Sequence, residues 1–171
     1  MRHPMAFVNP ATVHLRPAQK ADLAALNAVI ERAVMTWRLP ERVKRLTLFA
    51  YRYRPHDLED MHIVVAEDRA RAVIGVAAWA PAEARDVPAG RRGLLLHGLY
   101  VDPAHARRGV GGRLLEAALA AARERGFGGL LVKAQSGTVG FFVARGMGAL
   151  PVVDAARDYP HRLWLDVVDH L

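Results

Sequence analysis

Apolar and polar positions along this chain fall into blocks with two different periods. Residues 12–15 form a short strand that Arg16-Pro17-Ala18 breaks. From 21 to 35 the apolar residues Leu23, Leu26, Val29, Ile30, Ala33 and Val34 recur at helical spacing, with Asp22 in the first turn, where the helix dipole favours a carboxylate. Pro40 stops that element, and residues 41–50 form a second, shorter helix. Residues 51–60 are polar and read as a loop. Residues 62–67, with the apolar centre Ile63-Val64-Val65-Ala66, and residues 72–80 read as a hairpin across the polar turn 68–71. Residues 81–92 read as a surface loop. Residues 94–101 form a strand whose three opening leucines imply burial on both faces. Residues 113–125 place Leu114, Leu115, Ala118, Leu119 and Ala122 on one side of a helix that Gly126 ends. A buried strand at 130–134, a helix at 138–145 stopped by Gly146, and strands at 149–153 and 161–168 complete the chain.

This order, β-α-α-β-β-β-α-β-α-β-β, predicts an α/β fold (mixed α+β), with a mixed sheet covered by helices. Trp79 and Trp164 lie on strands and read as core. One domain is expected over 1–171, with 1–11 as a loose N-terminal segment.

Composition narrows the class. The chain has 171 residues, 52% of them apolar, which is a globular composition. It has no run of about 18 apolar residues, so no membrane span is expected. Its start lacks the apolar core of a signal peptide, and with no cysteine it fits the cytoplasm and offers no thiolate nucleophile. Net charge is +7, carried almost wholly by arginine; Lys20, Lys44 and Lys133 are the lysines. A nucleic-acid surface is one reading of that bias. The arginines are scattered, however, with pairs at Arg91-Arg92 and Arg107-Arg108, and attraction of an anionic cofactor suffices. The cluster His56, Asp57, Glu59, Asp60 and His62 matches no zinc spacing, so no metal is expected.

The chemistry concentrates between Tyr100 and Glu116. An apolar strand ends at Val101; Asp102-Pro103-Ala104-His105-Ala106 turns the chain; Arg107-Arg108-Gly109-Val110-Gly111-Gly112 then leads into a helix. A helix start carries roughly half a positive charge and unpaired N–H donors, and glycines let an anion approach the backbone. The segment reads as a pyrophosphate cradle, against the alternative of an ordinary strand-to-helix turn with solvated arginines. It is not a P-loop, because Arg113 and Leu114 follow the glycines, nor a dinucleotide fingerprint, because Leu114 stands at the third glycine position.

Three stretches carry a family resemblance: Leu15-Arg-Pro-Ala-Gln-Lys-Ala-Asp-Leu, then Leu99-Tyr-Val-Asp-Pro with Arg107-Arg-Gly-Val-Gly-Gly, and Phe141-Phe-Val-Ala-Arg-Gly-Met. Together with the element order they resemble the GNAT superfamily of N-acetyltransferases over nearly the whole chain. The resemblance implies a mostly antiparallel sheet of about seven strands with a splayed pair, flanked by about four helices. It implies acetyl-CoA as co-substrate and a small-molecule or peptide amine as acceptor, with no nucleic acid or membrane partner and a possible homodimer. Backbone groups of Leu99, Tyr100 and Val101 are expected to meet the pantetheine arm, and Arg107, Arg108, Gly109, Val110, Gly111 and Gly112 the pyrophosphate. Arg113 reads either as a contact to the 3′-phosphate or as a solvated helix residue. Ala106 stands where the family loop usually begins with Gln or Arg. Gln135 is the nearest match to a family Asn, and Phe142 stands where the family helix carries the Tyr that protonates the departing thiolate.

His97 is the candidate general base, with a hydrogen-bonded structural histidine as the competing reading. Tyr100 is the candidate replacement acid, although strand alternation puts it on the face opposite His97. Trp37, Phe49, Tyr51 and Tyr53 lie where the acceptor pocket is expected, with Phe49 fitting core packing better, and Glu31 or Glu41 would attract an amine. Two other classes stay open: a non-catalytic acyl-CoA-binding regulatory module, and an Arg-rich nucleic-acid partner.

Overall fold

The computed structural model describes residues 12–156 and 159–167. In chain order it contains β1 (His14–Pro17), α1 (Leu23–Met35), α2 (Glu41–Tyr51), α3 (Asp57–Asp60), β2 (His62–Glu67), β3 (Val73–Pro81), β4 (Gly93–Val101), α4 (Val110–Glu124), β5 (Gly129–Lys133), α5 (Val139–Val143), β6 (Gly148–Ala149) and β7 (Arg162–Asp166). The seven strands form one sheet in the order β1-β2-β3-β4-β5-β7-β6. It is mostly antiparallel, and β4 with β5 is a parallel pair. The mixed α/β architecture and the strand count are therefore as the hydrophobic pattern implied, with five helices among the described residues rather than about four. The expected loose segment 1–11 and the end of the last expected strand, Val168, lie outside the described residues.

The chain divides into two compact units, one of Met1–Ala77 with Leu99–Leu115 and one of Ala78–Gly98 with Glu116–Leu171. In the first, α1 buries Leu26, Val29, Ile30 and Val34, the stripe its 3.6-residue period implied. β1 pairs with β2 from His14↔Glu67 to Pro17↔Val64. Arg16 fastens this corner: its guanidinium donates to Asp22 at 2.7 and 2.8 Å and to Glu67 at 2.9 Å. Those hydrogen bonds hold the Asp22 carboxyl below the usual carboxylate range. On β3, a Cβ at Gly75 would stand 3.0 Å from Leu114 and 3.1 Å from Val110, so the glycine lets the first turn of α4 lie close against the strand.

In the second unit, β4 and β5 pair from Gly93↔Gly129 to Leu96↔Val132, and β4 continues to Val101. Burial on both faces holds only for the first half of β4; His97 is exposed and Gly98–Val101 are half-buried. Trp164 of β7 is 8% exposed and Trp79 of β3 is 2% exposed, so both are core. The Trp164 ring lies over Gly93 and Gly129, register partners whose missing side chains make room for it.

Five expected boundaries move. The first strand is His14–Pro17 rather than 12–15, so Arg16 and Pro17, expected to break it, pair with Val65 and Val64 of β2. Residues 57–60 form the single turn α3 inside the expected loop. The helix expected from Arg113 starts at Val110, because first-turn amides need no carbonyl partner and glycines are no handicap there. The expected helix at 138–145 is a 3-10 turn, Ser136–Thr138, followed by the short α5. The expected strand at 149–153 shrinks to Gly148–Ala149. Leu150 still donates to the Arg162 carbonyl at 2.8 Å, beyond the two registered pairs of β6 with β7.

Candidate active site

In the first unit, the segment from the end of β4 to the start of α4 is the loop expected to cradle an anion. Asp102 opens it: its amide donates to the Ile74 carbonyl at 2.8 Å, and its Oδ1 accepts from the Ala104 amide at 3.0 Å, which caps the 3-10 turn Pro103–His105. From α1, Arg32 Nε and Nη2 donate to Asp102 Oδ2 at 3.0 and 2.7 Å. Partial burial pushes the Asp102 carboxyl up, but the bonds from Ala104 and Arg32, with the charges of Arg32 and His105, hold it below its ordinary value. The start of the loop is thus clamped to a strand and a helix.

Beyond the clamp the backbone turns into left-handed space twice, at Arg107 (φ 61°) and Gly109 (φ 80°). Glycine adopts that region freely and arginine does not, so the surrounding structure imposes it at Arg107. α4 begins at Val110, and its first carbonyl bond is the Arg113 amide donating to Gly109 at 3.1 Å. Among the described residues, none of the six amides from Arg107 to Gly112 donates a hydrogen bond. Nor does either guanidinium, Arg107 or Arg108, form an ion pair among them. Gly109 and Arg107 are exposed, whereas Val110 is buried and anchors the turn. His105 adds a buried Nδ1 without a hydrogen-bond partner among the described residues. The start of this fifteen-residue helix thus presents unpaired amide donors and two arginines without an ion pair among the described residues, the chemistry that anions favour.

The same unit holds an aromatic cluster. Tyr51 meets Trp37 edge-on, centroids 6.0 Å apart, and Tyr100 at 6.4 Å. Asn27 of α1 fixes the segment after α2, since its amide group exchanges two bonds with the backbone of Tyr53 at 2.8 and 2.9 Å. Burial pushes the Tyr100 hydroxyl well above the ordinary tyrosine value, and Tyr53 and Tyr51 push it the same way. Tyr53 is buried and raised too, chiefly by burial. An open groove of ≈ 620 Å³ runs past Glu31, Arg32 and Met35 of α1 and Asp102–Ala104. Glu31 is exposed on its wall and pairs with Arg52 at 3.5 Å.

The first unit therefore holds together Glu31, Trp37, Tyr51, Leu99, Tyr100, Val101 and the whole loop 107–112. His97, Gln135 and Phe142 belong to the second unit. There His97 is exposed on β4, Gln135 precedes the 3-10 turn Ser136–Thr138, and Phe142 is buried and packs edge-on against Phe141 at 5.0 Å. Phe49 is neither core nor cluster: it is 72% exposed on α2. Among the described residues no group of three or more His, Cys, Asp or Glu is placed to hold a metal ion. Also among them, no helix is long and apolar enough to cross a membrane. Sequence reasoning missed Arg32, Asn27 and the clamp on Asp102. The Asp-Pro step hinted at the cap, but Arg32 lies seventy residues from its partner and carries no local signal.

The profile of the family described as Acetyltransferase (GNAT) matches residues 27–148. None of the curated proteins matches the chain significantly in sequence. Several solved structures share its fold. A GNAT family acetyltransferase from Brucella melitensis in complex with acetyl-CoA is 22% identical, over 90% of this chain and 87% of that one, with a TM-score of 0.63. The PaiA N-acetyltransferase of Thermoplasma acidophilum in complex with coenzyme A is 15% identical, over 90% and 98%, with a TM-score of 0.70. YncA of Salmonella typhimurium, solved with acetyl-CoA, is 20% identical, over 93% and 96%, with a TM-score of 0.60. The matched stretch runs from α1 through the arginine-glycine loop to β6, more than half of the chain. On that ground this protein belongs to the GNAT acetyltransferase family and is an acyl-CoA-dependent transferase.

Proposed function

We propose that this chain moves the acetyl group of acetyl-CoA to a primary amine of a small molecule or peptide, by direct attack within a ternary complex. The observation that carries the reading is the run of six unengaged amides, Arg107–Gly112, at the start of α4. When bound, acetyl-CoA supplies a thioester carbonyl as acyl donor and a thiolate as leaving group. The loop amides hold its diphosphate, with Arg107 and Arg108 adding charge-assisted bonds. Leu99 and Val101 offer backbone N–H and C=O groups to the pantetheine arm, on the stretch of β4 beyond its registered pairs with β5. Gln135 and Phe142 complete the cofactor contacts by resemblance to the family's helix.

His97 takes the proton that the acceptor ammonium must lose before its nitrogen can attack. The C–N bond forms as the C–S bond breaks, and the acylated nitrogen gives its extra proton to solvent to leave the neutral amide. Tyr100 hydrogen-bonds the departing sulfur. Its raised pKa keeps the hydroxyl protonated, and a thiol near 8.5 is the stronger acid, so solvent supplies the final proton. Trp37 and Tyr51 form the acceptor wall, and Glu31 draws in the cation. With no cysteine in the chain, a cysteine-bound acyl-enzyme has no place in the scheme. Holding both reactants in one complex supplies much of the acceleration. Phe142, at the family's tyrosine position, favours a second reading, a non-catalytic acyl-CoA-binding regulatory module. Coenzyme A release across a panel of amines decides between them. Turnover on any amine supports transfer, whereas a rise in melting temperature with acetyl-CoA and no turnover on any amine supports the module.

A further inference from the structure

α2 is built inside out. It buries Lys44, 8% exposed, yet leaves Leu46 at 66% and Phe49 at 72%, with Val43 at 41%. At 3.6 residues per turn, Arg42, Leu46 and Phe49 lie on the line facing away from Lys44 and Leu48. The lysine has a local reason to be inside: Nζ donates to the Met35 carbonyl at 2.9 Å and stands 3.5 Å from Glu41. The outward leucine and phenylalanine have no such reason among the described residues. Exposed Leu39, just before the helix, extends the stripe.

The rim of the stripe is positive. Among the described residues, Arg38, Arg42 and Arg45 form no ion pair, and the one acid on α2, Glu41, faces Lys44. Arg54 lies 5.3 Å over the Phe49 ring. A second copy of the chain would bring like charges together here, so charge complementarity selects an acidic partner with apolar side chains. The last residue of the helix, Tyr51, lies on the inward side of α2, opposite Phe49, in the Trp37–Tyr51–Tyr100 cluster.

We propose that the outer face of α2 docks an acidic, leucine- or phenylalanine-bearing segment of the acceptor, so that the acetylated amine belongs to a polypeptide. This rests on the amine-acetylation reading, and its test is arranged to fail separately. A fluorescein-labelled peptide with one lysine followed by alternating glutamate and leucine is titrated against the full chain by anisotropy. A peptide with arginine for glutamate is the control. The wild type is expected to bind the acidic peptide and not the basic one. Leu46→Glu with Phe49→Glu, and separately Arg42→Glu with Arg45→Glu, are expected to weaken binding about tenfold or more. The arginine reversal is also expected to gain affinity for the basic peptide. Turnover of a small amine should not change in either variant. Equal affinity of wild type and variants for the acidic peptide would overturn the proposal. So would wild-type binding to phosphatidylglycerol vesicles without peptide binding, or a concentration-dependent dimer abolished by the Leu46 and Phe49 changes. Peptide binding with no coenzyme A release from any amine would sink the acetylation reading and leave the docking surface standing.

Discussion

Arg107 adopts φ 61°, where a Cβ is strained, and Gly109 adopts φ 80°, where glycine is at ease. The two positions therefore answer mutation differently. Arg107→Gly relieves strain, so its melting temperature is expected to hold or rise. Its acetyl-CoA affinity is expected to fall about tenfold, the worth of a charge-assisted bond. Gly109→Ala is expected to lose both stability and affinity, because alanine resists the left-handed turn. Calorimetric titration with acetyl-CoA beside a melting curve separates the two. For the proposed general base, His97→Ala is expected to lower kcat/KM and to flatten its rise with pH. An unchanged profile removes His97 from the mechanism. Tyr100 has its hydroxyl raised above the ordinary value near 10. No alkaline loss of activity is therefore expected below about pH 10 from Tyr100, and Tyr100→Phe is expected to lower kcat more than it raises KM.

Elements set where these residues stand. The Asp102 carboxyl is depressed, so its contribution to stability is present above about pH 4 and is lost as pH falls through its folded-state pKa. Asp102→Ala is expected to cost about 1 kcal/mol at neutral pH, mainly through the lost cap. The exposed Arg32 partner adds little. The variant is also expected to show a shallower loss of stability in acid, read from urea midpoints across pH. In the second unit, Gly129→Ala would drive a methyl group into the Trp164 ring, and an overpacked site of this kind costs about 3 kcal/mol. A circular-dichroism melt unchanged from wild type would show that the ring moves aside freely. Much of this layout was legible in the chain. β2 spans the expected residues, and α2 ends one residue later than expected, because strong periodicity and the Pro40 stop leave little room. The early start of α4 was not legible, since Gly111 and Gly112 look like loop until their free amides are counted as a first turn. Phe49 misled for another reason: an aromatic on a helix is ordinarily buried, and here the burying surface is absent among the described residues.

At the scale of the molecule, the loop and the aromatic cluster belong to one unit, while His97, Gln135 and Phe142 come from the other, although β4 runs through both. Sequence spacing singles out the loop as the candidate, because phosphate recognition by backbone needs contiguous residues. It could not locate Arg32 or Asn27, whose partners arrive only with the fold. The net charge of +7 favours an anionic co-substrate everywhere on the surface, so affinity alone does not identify the grip. The amides of the proposed cradle are the direct readout. In a proton–nitrogen correlation spectrum of the labelled protein titrated with coenzyme A, the signals of residues 107 to 112 are predicted to shift most, and to gain protection from solvent exchange at saturation. Saturable binding that leaves those six amides unmoved and unprotected would contradict the account.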